Sequence, residues 1–125
     1  MRLFKSDNPD YEDGGQQRDF VYVKDAVSVM LWLMENKDVV GVYNVGTSKA
    51  RTWNDVANSI FAAMDKEPNI EYIDMPKQLK GKYQYYTQAD TSKLKAAGYT
   101  QFTALEDAVA DYIKNYLQPD KHLGE

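Results

Sequence analysis

Residues 39–45 read Val-Val-Gly-Val-Tyr-Asn-Val, an almost continuous apolar run that ends at a Gly-Thr-Ser turn. A run of this kind is typical of a β-strand buried on both faces, as in a parallel sheet covered by helices. A shorter β-branched and aromatic run lies at 20–23, and apolar residues at helical spacing follow it. The two runs and the segment between them therefore predict strand, helix and strand in succession, which indicates an α/β protein.

Residues that can cap helices mark where the predicted helices of this chain begin. We expect Asp25 to cap the helix between the two strands, and Thr52 to open the next helix with Asp55 in a weak capping box. Thr103 and Glu106 form a full capping box at the start of the last helix. The first of these helices has a stripe of apolar residues at helical spacing, formed by Val27, Met30, Leu31 and Met34. Val29, Trp32 and Leu33 add apolar surface on other faces, so we expect this helix to be covered on more than one side.

Loops and shorter elements lie between these helices. The segment 5–17 is rich in Asp, Asn, Gly and Pro and is predicted to be loop, and its acidic residues lack the spacing of a calcium-binding loop. Alternating residues predict a short strand over 69–74, and 77–88 has no clear period and is predicted to be loop. We expect Asp90 to cap a short helix over 91–97, which Gly98 closes in the left-handed conformation.

Composition excludes several kinds of site. The chain has 125 residues, which suits one domain, and its net charge of −4 argues against a nucleic-acid or membrane-surface partner. It has no cysteine, and its single histidine, His122, is close to the C-terminus, so a thiolate metal site or a Ser-His-Asp triad is excluded. No apolar run is long enough to span a membrane and no leader opens the chain, so we expect a cytoplasmic protein.

One octet carries the strongest functional signal. Residues 18–25 read Arg-Asp-Phe-Val-Tyr-Val-Lys-Asp, which places a guanidinium at the mouth of a predicted buried strand. A rigid element can hold this forked cation against an anion, because two parallel N–H groups match a phosphate or carboxylate. The alternative is that Arg18 pairs with Asp19 or another carboxylate at the surface. The residues alone leave both interpretations open.

Further motifs turn the octet into a family resemblance. The chain contains Gly-Val-Tyr-Asn-Val-Gly-Thr at 41–47, Lys-Gly-Lys-Tyr-Gln at 80–84 and Tyr-Thr-Gln-Ala-Asp at 86–90. The octet and the first of these resemble the C-terminal half of extended short-chain dehydrogenase/reductases that act on nucleotide sugars. The other two resemble, within that family, the ADP-glycero-manno-heptose 6-epimerases. The likeness covers nearly the whole chain.

The resemblance implies an isomerase. The complete enzyme would invert C6 of the heptose in ADP-heptose, with tightly bound NADP taking a hydride from C6 and returning it to the opposite face of a transient ketone, for lipopolysaccharide core synthesis. Family members are much longer, and their N-terminal half carries a Gly-rich dinucleotide turn and a Tyr-x-x-x-Lys pair. Neither motif occurs in this sequence. We therefore expect a C-terminal portion without catalytic or cofactor-binding residues, inactive alone, that pairs with an N-terminal Rossmann half and forms a homo-oligomer.

The resemblance also implies the substrate-binding residues. Arg18 would contact the diphosphate, and Tyr83 of the Lys-Gly-Lys-Tyr-Gln block would bind a phosphate or sugar hydroxyl. Phe4, Lys5 and Ser6 align with the segment that lines the nucleotide, although Lys-Ser replaces the Glu-Gly-Ser of the family and the following loop is longer. Simple packing of Phe4 and Tyr83, with Lys5 solvated, is the alternative.

The expected organisation follows from these matches. Residues 1–17 would form a substrate-site strand and loop, 18–50 a late strand-helix-strand part of the Rossmann-type parallel sheet, and 51–118 a small substrate-binding subdomain, with 119–125 as a tail. Three other functions stay open: another nucleotide-sugar 4-epimerase or dehydratase, a non-catalytic nucleotide-binding module, and a purely structural α/β domain.

Overall fold

The computed structural model describes residues 1–121, so His122 lies outside the described part of the chain. The strands are β1 (Arg2–Phe4), β2 (Gln17–Arg18), β3 (Arg51–Thr52) and β4 (Glu71–Ile73). The helices are α1 (Val23–Glu35), α2 (Trp53–Ala63), α3 (Ser92–Ala96) and α4 (Leu105–Tyr112), and a π-helical segment, Ile113–Leu117, continues α4. The mixture of strands and helices confirms the α/β class.

The strands form two small sheets. β1 pairs in parallel with β4, with Leu3 opposite Tyr72, which confirms the strand predicted at 69–74. β2 pairs antiparallel with β3, with Arg18 opposite Arg51. An isolated bridge also joins Gln17 to Tyr86. The residues that precede and follow the loop 5–17 are therefore both fixed by backbone pairing.

The main hydrophobic core lies on one side of α1. Val29 and Leu94 are fully buried and Tyr99 nearly so, and they pack with four partly buried side chains, those of Trp32, Leu33, Tyr43 and Phe102. The apolar stripe formed by Val27, Met30, Leu31 and Met34 is exposed, since Met30 is 56% and Met34 70% accessible. Within the described residues α1 is therefore covered only on the face that carries Val29, and the expected cover on more than one side is not observed.

The two runs predicted as buried strands at 20–23 and 39–45 are not strands in the structure. Val23 already belongs to α1, and 39–45 has no strand pairing within the described residues. Val40 and Val42 are 75% and 85% exposed. Strand geometry in a parallel sheet depends on hydrogen bonds to neighbouring strands. These runs have apolar strand composition but no neighbour within residues 1–121.

Helices α2 and α4 pack against each other. Ala57 of α2 is fully buried, and Ala108 and Ile113 are buried on the opposing side. The predicted capping box at Thr52 is confirmed: its side chain accepts from the Asp55 amide while the Asp55 carboxylate accepts from the Thr52 amide. This start of α2 fixes the direction in which its small-residue face meets α4.

Asp25 and Thr103, which were predicted to cap helices, instead bind each other. α1 starts after Tyr22 and α4 after Ala104, and neither has a side-chain cap. The Asp25 carboxylate accepts hydrogen bonds from the Thr103 amide at 2.7 Å and from its hydroxyl at 2.7 Å. A carboxylate and a hydroxyl that suit a helix start can equally satisfy one another across the fold. This contact joins the start of α1 to the segment before α4.

The short helix predicted after Asp90 is α3. Thr91 holds the cap position, and the Asp90 carboxylate accepts from the Ser92 amide at 2.9 Å. Hydrogen bonds from the side chain and the amide of Ser92 lower the pKa of Asp90, but Asp90 is not the N-cap residue that the sequence predicted. Gly98 follows the helix with φ of +111°, a conformation that glycine adopts without a steric cost, so its predicted role is confirmed.

Candidate functional site

Three of the predicted substrate-binding side chains meet at one surface. Phe4 ends β1, Arg18 ends β2, and Tyr83 lies in the loop before α3. The Arg18 Cζ atom lies 5.0 Å from the centroid of the Tyr83 ring, and the Phe4 and Tyr83 rings meet edge to face at 6.3 Å. Segments that are far apart in sequence therefore bring a cation and two aromatic rings together.

The Arg18 guanidinium is not used in an ion pair. Its Nη1 donates to the carbonyl of Gln17 at 2.7 Å, and none of the ion pairs within residues 1–121 includes Arg18. The alternative in which Arg18 pairs with Asp19 is therefore not observed. The Tyr83 ring orients the guanidinium plane through a cation–π contact and leaves other N–H groups available for an anion.

Aromatic rings extend this surface along the loop 5–17. Tyr83 meets Tyr85 at 5.8 Å, and Tyr85 meets Tyr11 at 5.1 Å. The Tyr85 hydroxyl accepts from the Asp7 amide at 3.1 Å, so the loop is tied to the row of rings. The rings meet at 78° and 38°, so this half-buried row presents both ring faces and ring edges to a base or sugar ring.

Lys5 and Ser6 face other contacts. The Lys5 ammonium pairs with Asp74 at 3.1 Å and is half exposed. The Ser6 hydroxyl donates to the Asn8 carbonyl at 2.8 Å, and the Ser6 amide donates to Asp13 at 2.7 Å. Their predicted substrate contacts stay predictions, and in this structure both residues stabilise the loop that borders the site.

A cavity of about 200 Å³ opens beside Phe4 and Tyr83. Gln16 and Trp53 line it, and sequence reasoning missed both. Gln16 is almost completely buried and its amide nitrogen lies 3.4 Å from the Lys5 carbonyl. Gln16 lies in a polar loop, so nothing in the sequence indicated that it would be buried. The cavity is smaller than a typical ligand pocket of roughly 300–1,000 Å³, so these residues form only part of a nucleotide-sugar site.

A larger cavity, of about 840 Å³, lies between segment 20–23, α2 and α4. Its walls are formed mainly by aliphatic and aromatic side chains and include no charged residue. Such a lining offers nothing to balance the charge of a diphosphate. The size of this cavity therefore does not make it the better candidate for a nucleotide.

A cluster of titratable groups joins α1 to the end of α4. The Lys24 ammonium lies 2.7 Å from the Asp111 carboxylate, which also accepts from the Tyr22 hydroxyl. The hydrogen bonds from Lys24 and Tyr22 lower the pKa of Asp111 to about 2, and the pKa of Lys24 is raised in turn. Lys24 also lies over the Tyr116 ring at 5.0 Å. These contacts tie two helices together at a distance from the Arg18 site.

The described residues contain no group of acidic, histidine or cysteine side chains that could hold a metal ion. Within residues 1–121, no helix has the length and apolar character needed to cross a membrane.

Comparison with known proteins shows which family and which relatives this chain is similar to. Residues 5–46 match the model of the NAD dependent epimerase/dehydratase family. The chain is 61% identical over 125 residues to the ADP-L-glycero-D-manno-heptose-6-epimerase of Nitratidesulfovibrio vulgaris strain Hildenborough, a match that covers 98% of this chain and 39% of that protein. The chain thus spans about two fifths of the length of this relative.

Solved structures agree on the fold. The crystal structure of Helicobacter pylori ADP-L-glycero-D-manno-heptose-6-epimerase matches 92% of this chain and 32% of its own, with a TM-score of 0.70 and 28% identity. UDP-N-acetylglucosamine 4-epimerase from Methanobrevibacter ruminantium, in complex with UDP-N-acetylmuramic acid, matches 87% of this chain and 34% of its own, with a TM-score of 0.69 and 25% identity. Over the residues that they share, the chain is similar in sequence and in fold to ADP-L-glycero-D-manno-heptose-6-epimerases, and its residues 5–46 match the NAD dependent epimerase/dehydratase family.

Proposed function

We propose that this chain is the C-terminal, substrate-binding portion of an ADP-L-glycero-D-manno-heptose 6-epimerase. The complete enzyme would interconvert D,D- and L,D-heptose by inverting C6 of the nucleotide sugar. This portion would hold the ADP end while the sugar end turns. The observation that carries the proposal is the contact between Arg18 and Tyr83, because it presents an unpaired guanidinium beside a half-buried aromatic surface.

The division of labour follows from the chemistry of inversion. One end of the substrate has to stay fixed while the reacting carbon presents first one face and then the other, so binding energy from the remote diphosphate is used for orientation. Arg18 would bind the diphosphate, the Tyr83 hydroxyl would donate to a phosphate or sugar oxygen, and Phe4 would exclude water from one side of the nucleotide. No intramolecular hydrogen bond occupies the Tyr83 hydroxyl within the described residues.

The cofactor would be NADP, held outside this chain. The 125 residues contain no Gly-rich strand-to-helix turn that could cradle a pyrophosphate and no Tyr-x-x-x-Lys pair. The residues present therefore do not fit a nicotinamide cofactor, and we assign none of them to hydride or proton transfer. A cytoplasmic location and a homo-oligomer remain part of the same proposal.

The main partner would be the N-terminal Rossmann half of the same protein. The exposed stripe on α1 and the unpaired segment 39–45 support this, since Met34, Val40 and Val42 are each at least 70% accessible. Apolar surface of this extent is normally covered in a folded protein. Added strands beside segment 39–45 would complete a parallel sheet, and helices of the missing half would cover the remaining apolar surface.

The nearest rival is an epimerase that acts on a UDP-hexose. The two solved structures have almost equal TM-scores, 0.70 and 0.69, so the fold does not separate these substrates. Sequence identity of 61% to an ADP-heptose enzyme favours the heptose. Turnover of ADP-heptose but not of UDP-hexoses by the complete protein would support the proposal, and the reverse preference would replace it with the rival.

The binding role of Arg18 is tested by calorimetric titration of the complete protein with ADP. Replacing Arg18 with alanine should weaken ADP binding about 10- to 100-fold, because charge-assisted hydrogen bonds contribute roughly 1.5–3 kcal/mol. Lys37→Ala serves as the matched control, since it removes a positive charge from an exposed position after α1. Equal affinities for the two variants would overturn the proposed site. Micromolar ADP binding by the 125 residues alone would instead support a self-sufficient nucleotide-binding module.

A further inference from the structure

The Asp19 carboxylate gathers four hydrogen bonds from two other segments. It accepts from the Thr47 amide at 2.8 Å and hydroxyl at 2.5 Å, from the Ser48 amide at 2.9 Å and from the Ala89 amide at 3.1 Å. Three of these donors are backbone N–H groups. A carboxylate with this many donors is held in one orientation, and its charge is balanced without a cationic side chain.

These contacts hold the chain on both sides of Arg18. On the preceding side, the Gln17 amide donates to the Tyr85 carbonyl at 2.8 Å and the Gln17 carbonyl accepts from the Thr87 amide at 3.2 Å. On the following side, the Asp19 side chain binds the Ala89 amide. The segment that carries Arg18 is thus fixed along 85–89, immediately after Tyr83.

The turn at 46–48 has a shape that fits the carboxylate. A Cβ atom added to Gly46 would lie 2.8 Å from the Asp19 Oδ2 atom and 2.6 Å from the Ala89 Cβ atom, so only glycine allows this approach. Ser48 has φ of +56°, in the left-handed region that most residues avoid, while its amide donates to Asp19. Local backbone strain is therefore offset by hydrogen bonds to a single carboxylate.

An acidic neighbour would ordinarily compete for the guanidinium. Asp19 follows Arg18 directly in sequence, yet the four donors occupy its oxygens and Arg18 forms no ion pair within residues 1–121. The same contacts that position the backbone thus keep the adjacent negative charge away from the cation. Without them, a free carboxylate next to Arg18 would neutralise it and repel a diphosphate.

We propose that Asp19 is a positioning residue for Arg18: bound to the 46–48 turn and to Ala89, it fixes the guanidinium over Tyr83 and leaves it unpaired for a diphosphate. This inference rests on the proposed function, in which Arg18 binds that diphosphate. Asp19 itself does not touch the substrate, so its effect on affinity has to pass through Arg18.

The test is calorimetric titration of ADP into the complete protein carrying Asp19→Asn. An asparagine has one acceptor oxygen and presents an NH₂ group to donors, so ADP should bind about tenfold more weakly. Asp25→Asn is the matched control, because Asp25 also lies in the octet and accepts from a threonine amide and hydroxyl, at Thr103. The control should lower thermal stability but change the ADP affinity by less than about twofold.

A double-variant cycle separates positioning from general damage. In an Arg18→Ala background, Asp19→Asn should change the ADP affinity by less than about twofold, because the group through which it acts is gone. If Asp19→Asn does not fold, Thr47→Val removes one donor to the carboxylate. It should weaken ADP binding by a smaller factor, and this loss should also vanish in the Arg18→Ala background.

The outcomes distinguish the two proposals. If Arg18→Ala binds ADP with the affinity of the wild-type protein, the proposed function is overturned, and this inference with it. If Arg18→Ala weakens ADP binding but Asp19→Asn binds ADP with the same affinity as Asp25→Asn, only the positioning role is overturned. The positioning role is also overturned if Asp19→Asn lowers the ADP affinity by the full factor in the Arg18→Ala background. The effect would then not pass through the guanidinium.

Discussion

The Arg18 guanidinium lies over the Tyr83 ring, with 5.0 Å between Cζ and the ring centroid. The two residues belong to segments that β2 and the loop before α3 bring together, and Phe4 closes the arrangement from β1. A guanidinium held over an aromatic ring can still direct two N–H groups at two oxygens of an anion. The contact therefore prepares a cation for binding while its charge stays unpaired.

The ring and hydroxyl of Tyr83 should contribute separately to binding. Tyr83→Phe keeps the cation–π contact and should weaken ADP binding by the amount of one hydrogen bond, about 0.5–1.5 kcal/mol. Tyr83→Ala also removes the ring that orients Arg18 and should cost about 0.5–2 kcal/mol more. Calorimetric titration of the complete protein with ADP measures both. Equal affinities for the two variants would mean that the ring does not orient the guanidinium.

The capping box at Thr52 should have a measurable effect on stability. Replacing Thr52 with alanine removes the acceptor for the Asp55 amide, which should lower the free energy of unfolding by about 0.5–2 kcal/mol. Thr100→Ala is the control, since Thr100 is exposed and lies outside any helix. Chemical denaturation of the complete protein compares the two. A loss that is no greater than for the control would show that α2 does not depend on this cap.

Local signals predicted the elements whose partners are local. The capping box at Thr52 and the turn at Gly98 were predicted because their hydrogen bonds join residues a few positions apart. Asp25 and Thr103 were wrongly predicted as helix caps, because the same side chains found each other across 78 positions. The segments 20–23 and 39–45 have strand composition, but a strand forms only where a neighbour supplies hydrogen bonds.

The candidate site was predictable only through motifs. Arg18 and Tyr83 lie 65 positions apart, and neither periodicity nor composition indicates that they meet. The family motifs named both residues, and the fold brings them into contact. Gln16 and the hydrogen bonds of Asp19 escaped the sequence analysis, because a polar residue in a polar loop gives no sign of whether it will be buried or which amides it will meet.

Leu94 should be the most sensitive position in the core beside α1. It is fully buried against Val29 and Tyr99, so Leu94→Ala should lower the free energy of unfolding by about 2–5 kcal/mol through lost contacts and a residual cavity. The control is Leu79→Ala in the loop after β4, where the side chain is 37% exposed and the loss should be much smaller. Urea denaturation of the complete protein checks this order. Equal losses would indicate that the cavity at Leu94 collapses without cost.

The 125 residues alone should self-associate. Val40 and Val42 are highly exposed on a segment that has strand composition and no strand pairing within the described residues, so identical chains can pair along it. Val42→Lys should raise the concentration at which sedimentation detects oligomers, whereas Gln101→Lys, at an exposed polar position, should not. In the complete protein the same Val42→Lys change should lower thermal stability, because the proposed N-terminal half would bury it. A monomeric chain at all concentrations, with a stable cooperative melt, would contradict this prediction.

The contact between Lys24 and Asp111 should make stability depend on pH at both extremes. The hydrogen bonds from Lys24, Tyr22 and Asn115 lower the pKa of Asp111 from its ordinary value of 3.8 to about 2. A lowered carboxyl pKa stabilises the fold above the ordinary value, and this contribution is lost as the pH falls through the folded value. The same contact raises the pKa of Lys24 above its ordinary value of 10.5, so its contribution is present below that value and is lost only in strong alkali.

Comparison of the wild-type protein with Asp111→Asn across pH isolates this contribution. The gap between their melting temperatures should be constant from about pH 5 to 8 and should close as the pH falls from about 4 to about 2, where Asp111 takes up a proton. Both groups are partly exposed, so salt should also reduce the gap. Asp10→Asn, at an exposed position of the loop 5–17, controls for the loss of one negative charge. A gap that stays unchanged down to pH 2 would show that the ion pair does not hold α1 against the end of α4.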